Sequence, residues 1–220
     1  MSFRGPRGSA PDGGGRVRSG RLIATLSSAG AVAGLLIVLA YSSTLPAIEA
    51  NRTKRIDAAI RDVLPSITRY ETLYLDGDGL TSTPAPGVDS HELEKVYAGF
   101  DAAGSLVGFA ISTVGPGFQD PIEVLVGFDP RTAKTLGLAI VSSRETPGLG
   151  DKIQGKGWLA QFAGTAVPLV AVKNGSAQKA NEVDMITGAT ISSRAVIAAV
   201  NKSVARWTPM LTAFLAGGRP

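Results

Sequence analysis

Two short stretches concentrate the residues that could do chemistry. The first, "DMITGATISS" over residues 184–193, sets hydroxyls at Thr187, Thr190, Ser192 and Ser193, with Gly188 and Ala189 between the two threonines. An extended segment, "NEVDMI", precedes it. From Ile191 to Trp207 the apolar residues recur at helical spacing, with Val196, Val200, Val204 and Trp207 on one face. The motif therefore sits at a helix N-terminus, where backbone N–H groups lack intrahelical partners and the dipole end is positive. An anion is stabilised at such a point, phosphate above all. Gly188 and Ala189 leave the backbone open to a bulky group, and Thr190 presents a hydroxyl suited to a phosphoester bond. A plainer role fits the same residues, with Thr187 or Thr190 acting only as the helix cap.

The second stretch is "ETPGLGDKI", residues 145–153. Glu145 and Thr146 lead into a Pro147-Gly148 turn, and Gly150 gives a second point of close backbone approach. Leu149, exposed between glycines, can pack on a flat aromatic ring, and Lys152 reads as a solvated cation. An ordinary tight turn has the same composition.

Composition removes most rival chemistries. The chain has no cysteine and one histidine, His91, which excludes disulfides, thiolate zinc sites, iron–sulfur clusters and c-type haem attachment. Redox chemistry here needs an organic cofactor. A threonine-nucleophile hydrolase needs an adjacent base, whereas Thr190 is internal and His91 is far away in sequence. The net charge of +4 is concentrated in an arginine-rich tail, so it does not point to nucleic acid.

The elements that must position these stretches follow from the rest of the chain. Residues 1–21 carry Arg4, Arg7, Arg16, Arg18 and Arg21 against Asp12 in a Gly/Pro/Ser-rich run, read as a disordered cationic tail. No charged residue occurs from Leu22 to Ala40, which predicts a transmembrane helix over 22–41, with a cleaved signal peptide as the alternative. The arginines keep the N-terminus cytoplasmic and put the remainder in the periplasm. Residues 42–92 read as a stem helix, marked by Ile56, Ile60 and Val63 and ended at Pro65, followed by a loop over 75–90. Asp76-Gly77-Asp78 lacks the remaining ligands of a calcium loop. Between Glu94 and Val141, apolar runs alternate with turns at "DAAGS", "GPGFQDP" and "DPRTA", predicting an antiparallel meander. Residues 93–210 form the chemical domain and 211–220 a tail, with Pro209 stopping the last helix and Lys202 and Arg206 at its negative end. The class is α+β: an antiparallel sheet with flanking helices behind one membrane helix.

Together, "ETPGLGDKI" and the later "D-x-x-TGAT" resemble the FMN-binding domain of RnfG, the G subunit of the Rnf electron-transport complex, and of its relative NqrC from the sodium-pumping NADH:quinone reductase. The resemblance covers roughly Ile56 to Trp207, including "LVGFAISTVGPGFQDPIEVLVGFD" and the aromatic pair Trp158 and Phe162. It implies an electron-carrying subunit with FMN covalently joined through its phosphate to Thr190 by a flavin transferase that uses FAD. Asp184 would belong to the sequence that the transferase reads, and the Glu145–Gly150 loop would lie by the isoalloxazine ring, with Glu145 a candidate for setting its electronics and Lys152 for stabilising a reduced, anionic ring. The expected partners are the membrane-embedded and redox subunits of an Rnf-type complex, the transferase and lipid. Many family members have histidine just ahead of this glutamate, where the present chain has Ser143 and Arg144. Two other functions remain open: a stand-alone extracytoplasmic flavin carrier and a non-redox anchored binding module.

Overall fold

The computed structural model describes residues 19–77, 79–84 and 93–217. The cationic stretch before Ser19, Asp78 of the rejected calcium loop, residues 85–90 of the predicted loop, and His91 lie outside them. The chain divides into two compact units, Met1–Asn51 and Arg52–Pro220.

The described part of the first unit is helical, the beginning of α1 (Ser19–Val63). It leaves Leu26 72% and Ile37 69% exposed, and it is long and apolar enough to cross a membrane, with an 18-residue stretch of mean hydropathy 2.2. Such surface is costly in water at about 25 cal/mol per Å², and acceptable in lipid. The segment expected to cross the membrane and the start of the expected stem are one continuous helix, α1, which runs through Pro46. The polar residues that follow the apolar run are accommodated inside it: the hydroxyls of Ser42 and Thr44 donate to the carbonyls of Val38 and Ala40 at 2.8 and 2.9 Å.

Among the described residues of the second unit, six strands form one antiparallel sheet in the order β2-β1-β3-β4-β5-β6. They are β1 (Arg69–Asp76), β2 (Gly79–Thr81), β3 (Lys95–Phe100), β4 (Leu106–Pro116), β5 (Pro121–Asp129) and β6 (Lys134–Ser142). The predicted meander is β3 to β6. β1 and β2 depart from the expected stem and loop, since "RYETLYLD" is rich in aromatic and β-branched residues and pairs with β3 along its length.

Successive side chains serve opposite faces of this sheet. Phe109, Ile111, Val124, Val126 and Phe128 face a core completed by α3 (Thr190–Ala216), through Val196, Val200, Val204, Trp207 and Leu211. Tyr97, Ala110 and Leu125 face the other way, onto Ala59, Ile60 and Val63 from the end of α1. Gly127 makes that second contact possible, because a Cβ there would stand 2.1 Å from the Val63 carbonyl oxygen. With both faces covered, β3 and β5 read as nearly continuous apolar runs.

Between β6 and α3 lie a 3₁₀ turn (Gly150–Gln154), the short α2 (Lys156–Leu159), and the parallel pair β7 (Val170–Val172) and β8 (Glu182–Asp184). The predicted stop at Pro209 is also overturned: α3 runs on to Ala216, so Lys202 and Arg206 lie in its middle rather than at its negative end. An interior proline costs about 3 kcal/mol. The turn beyond it buries Leu211 and sets Phe214 edge-on to Phe109 with ring centroids 6.1 Å apart, which offsets that cost.

Candidate functional site

The two chemically marked loops are built alike. Leu149 N–H donates to the Thr146 carbonyl at 3.1 Å around Pro147-Gly148, and Ala189 N–H donates to the Ile186 carbonyl at 3.0 Å around Thr187-Gly188. The third residue of each turn is a glycine at positive φ, +74° for Gly148 and +83° for Gly188, as a type II turn demands. The loops also meet, since a Cβ on Gly188 would lie 3.7 Å from Leu149 Cδ2.

Between them opens a cleft of about 330 Å³, within the range of small-molecule sites, roughly 300–1,000 Å³. It unites Glu145, Thr146, Leu149 and Gly150 from one loop with Gly188, Ala189 and Thr190 from the other. Pro147, Gly148, Lys152 and Thr187, also expected at the site, do not line it, nor does Asp184, expected only to serve transferase recognition. Phe118, Ile191 and Ser192 do, although sequence reasoning did not assign them to the site. Phe118 and Ile191 are 68% and 55% exposed. An apolar residue after a glycine-rich turn and another beside the helix start were the available signals for them.

The four hydroxyls of the motif have separate fates. Ser193 is buried, donating to the Ala189 carbonyl at 2.9 Å and accepting from Ile186 N–H at 3.2 Å. Ser192 is buried and donates to Glu145 Oε2 at 2.7 Å. Thr187 accepts from Asn174 Nδ2 at 3.4 Å. Thr190 is exposed in the cleft wall, and its hydroxyl makes no hydrogen bond among the described residues. It is the first residue of α3, and the cap position is Ala189, which has no side-chain oxygen to offer. The capping role for Thr187 or Thr190 is thereby removed, and the first amides of α3 are left without a side-chain acceptor.

Glu145 is buried beneath the cleft. Burial raises its pKa, but hydrogen bonds from Ser192 and from the amides of Gln119, Asp120 and Phe118 outweigh that effect and hold the carboxyl below its ordinary value. Where a histidine was expected by resemblance, Ser143 Oγ accepts from Glu145 N–H at 3.3 Å and Arg144 reaches outward to Asp120 at 3.8 Å. Asp184 serves the architecture around β8. Its Oδ1 accepts from the amides of Ser176 and Ala177 at 2.9 and 3.0 Å, and its carbonyl accepts from Trp158 Nε1 at 2.7 Å. Trp158 stacks edge-on to Phe162 at 5.0 Å, so the aromatic pair braces β8 rather than lining the cleft.

The arrangement thus offers an exposed, unpaired hydroxyl at a positively polarised helix start, beside apolar walls. Residues 117–205, which contain both loops and the turn that carries Phe118, match the family model of the FMN-binding domain. The chain is 34% identical over 178 residues to the G subunit of the Na(+)-translocating ferredoxin:NAD(+) oxidoreductase complex of Acetobacterium woodii, covering 79% of this chain and 84% of that one. The chain belongs to the G-subunit family of ion-translocating oxidoreductase complexes. Another G subunit, from Methanosarcina acetivorans, is 28% identical and aligns over 92% of its length. The fold of this G-subunit family is shared with the C subunit of the Na(+)-translocating NADH-quinone reductase from Parabacteroides distasonis. That structure superposes with a TM-score of 0.57 at 19% identity, over 74% of this chain and 95% of the other. NqrC of Shewanella oneidensis superposes with a TM-score of 0.56 at 21% identity, over 70% and 88%. With its apolar α1, this member of the G-subunit family is an inner-membrane protein.

Proposed function

We propose that the protein is the flavoprotein G subunit of an Rnf-type ion-translocating complex, carrying electrons through an FMN joined by a phosphoester to Thr190. The observation that carries the covalent reading is the selective freedom of the Thr190 hydroxyl: its three neighbours in the motif are bonded, and it alone is both exposed in the cleft and unpaired. The first turn of α3 stabilises the phosphate, Gly188 keeps the backbone approachable, and Leu149, Phe118 and Ile191 supply apolar surface for a flat ring. FMN accepts one or two electrons, and so joins carriers of either kind. Lys152, Pro147, Gly148 and Thr187 act around the cleft rather than in its wall, and Asp184 serves transferase recognition through the strand that leads to the motif.

A covalent tether prevents cofactor loss from a site outside the cytoplasm. In this reading residues 22–41 cross the membrane with the arginine-rich end cytoplasmic, and the domain after them is periplasmic. The protein completes no reaction cycle alone. Its partners are the other membrane and redox subunits, the flavin transferase and lipid. Peptide mapping of the protein made with its transferase should find one FMN on the peptide containing Thr190, and Thr190→Ala should carry none. Full flavin content in that variant would overturn the assignment.

A further inference from the structure

Glu145 lies in the wall of the proposed flavin cleft, where resemblance would assign it to the ring. Its hydrogen bonds point elsewhere. Oε2 accepts from Ser192 Oγ at 2.7 Å and Oε1 accepts from Gln119 N–H at 3.1 Å, with the amides of Phe118 and Asp120 also directed at the carboxylate. Glycines close on both oxygens: a Cβ on Gly117 would stand 2.4 Å from Oε1, and one on Gly150 would stand 2.4 Å from Oε2. Glu145 is 6% exposed and Ser192 is 2% exposed. Thr146 adds a parallel latch, its hydroxyl donating to Gln119 Oε1 at 3.2 Å.

Three chain segments therefore converge on one carboxylate: the β4–β5 turn with Phe118, the loop after β6 with Leu149, and the first turn of α3, where Ser192 follows Thr190 by two residues. We propose that Glu145 is a positioning residue whose ionised carboxylate clamps these segments together and so holds Thr190 and the apolar walls in the attitude needed for loading. The consequence at Thr190 rests on the FMN reading above; the clamp itself does not. Hydrogen bonds to an ionised acceptor are about twice as strong as neutral ones, which suits a clamp built on a single side chain.

The test uses the full chain in detergent, as wild type, Glu145→Gln, Ser192→Ala and the double variant. In protein made without the transferase, exchange of the Ser193 amide, which donates to the Ala189 carbonyl at 2.9 Å, should accelerate by about tenfold in both single variants, the scale of one lost hydrogen bond to a charged group. The Gln119 amide should follow in Glu145→Gln. Unchanged exchange at Ser193 in both variants would overturn the clamp. In protein made with the transferase, the fraction carrying FMN should fall equally in the two single variants and no further in the double. The loaded fraction should keep the wild-type absorption spectrum. A spectral shift in Glu145→Gln that Ser192→Ala does not share would make Glu145 a ring partner and overturn the proposal. Wild type without FMN would refute the FMN reading, and the exchange data would still decide the clamp. Should Glu145→Gln fail to fold, Ser192→Ala removes one bond only and decides through the same two readouts.

Discussion

The two ends of α3 break the rules of helix construction in opposite ways. At its start, the cap position is given to Ala189 and the first amides lack a side-chain acceptor, although four hydroxyls lie within seven residues. At its far end, Pro209 interrupts the hydrogen-bond ladder and the helix continues regardless. The second violation is explained by packing, because Leu211 beyond the proline is fully buried. The first has no such compensation among the described residues. A local rule broken without a packing return marks the place where something else is meant to bind.

This contrast can be broken experimentally. Leu211→Ala should have the largest effect on stability, a loss of about 2–5 kcal/mol in chemical denaturation, while chains that fold still load flavin normally. Impaired loading per folded chain would mean that the two ends are coupled. Gly188→Ala forces a Cβ into a left-handed conformation and should cost about 1–2 kcal/mol, with reduced loading, because the turn before Thr190 is disturbed. Wild-type loading would show that the turn tolerates distortion. Pro209→Ala restores a missing amide and should raise stability by about 1 kcal/mol without touching the flavin. A loss of stability would mean that the bend at Pro209 is needed for Phe214 to reach Phe109.

The smallest effect concerns pH. The folded pKa of Glu145 lies below its unfolded value, so the protein binds fewer protons when folded. The contribution is fully present above the ordinary carboxylate range and is lost as pH falls through the folded value. Asp129 and Glu182 are shifted the same way and add to the slope. Comparing Glu145→Gln with wild type in denaturation at a series of acidic pH values isolates the share of Glu145. The difference between them should shrink on acidification, and a constant difference would exclude the carboxylate charge as its source.

Much of this architecture was legible in the chain. The meander announces itself because β3 to β6 alternate apolar runs with strong turn formers, and α3 because its valines recur at helical spacing. The pairing of the two loops came from the family resemblance, since on residue types alone a helix cap and an ordinary tight turn explain them equally. Other features depend on contacts distant in sequence. β1 is a strand because β3 pairs with it, and α1 continues because Ser42 and Thr44 satisfy themselves on its own carbonyls. Phe118 reaches the cleft only because Glu145 gathers the amides of its turn. Which hydroxyl is free could not be read from spacing at all, for it depends on where Glu145 and the Ile186 amide fall in space.

The burial of Ser192 and Ser193 bears on fidelity of maturation. An enzyme that recognised the motif by composition alone could err by two or three residues and leave a mixture of isomers. Under the attachment proposed for Thr190, the folded chain itself withholds the two hydroxyls that follow, one locked to a carboxylate and the other to its own backbone. Neither downstream serine could then take the label, and a chain lacking Thr190 would remain colourless instead of being marked two or three residues further on.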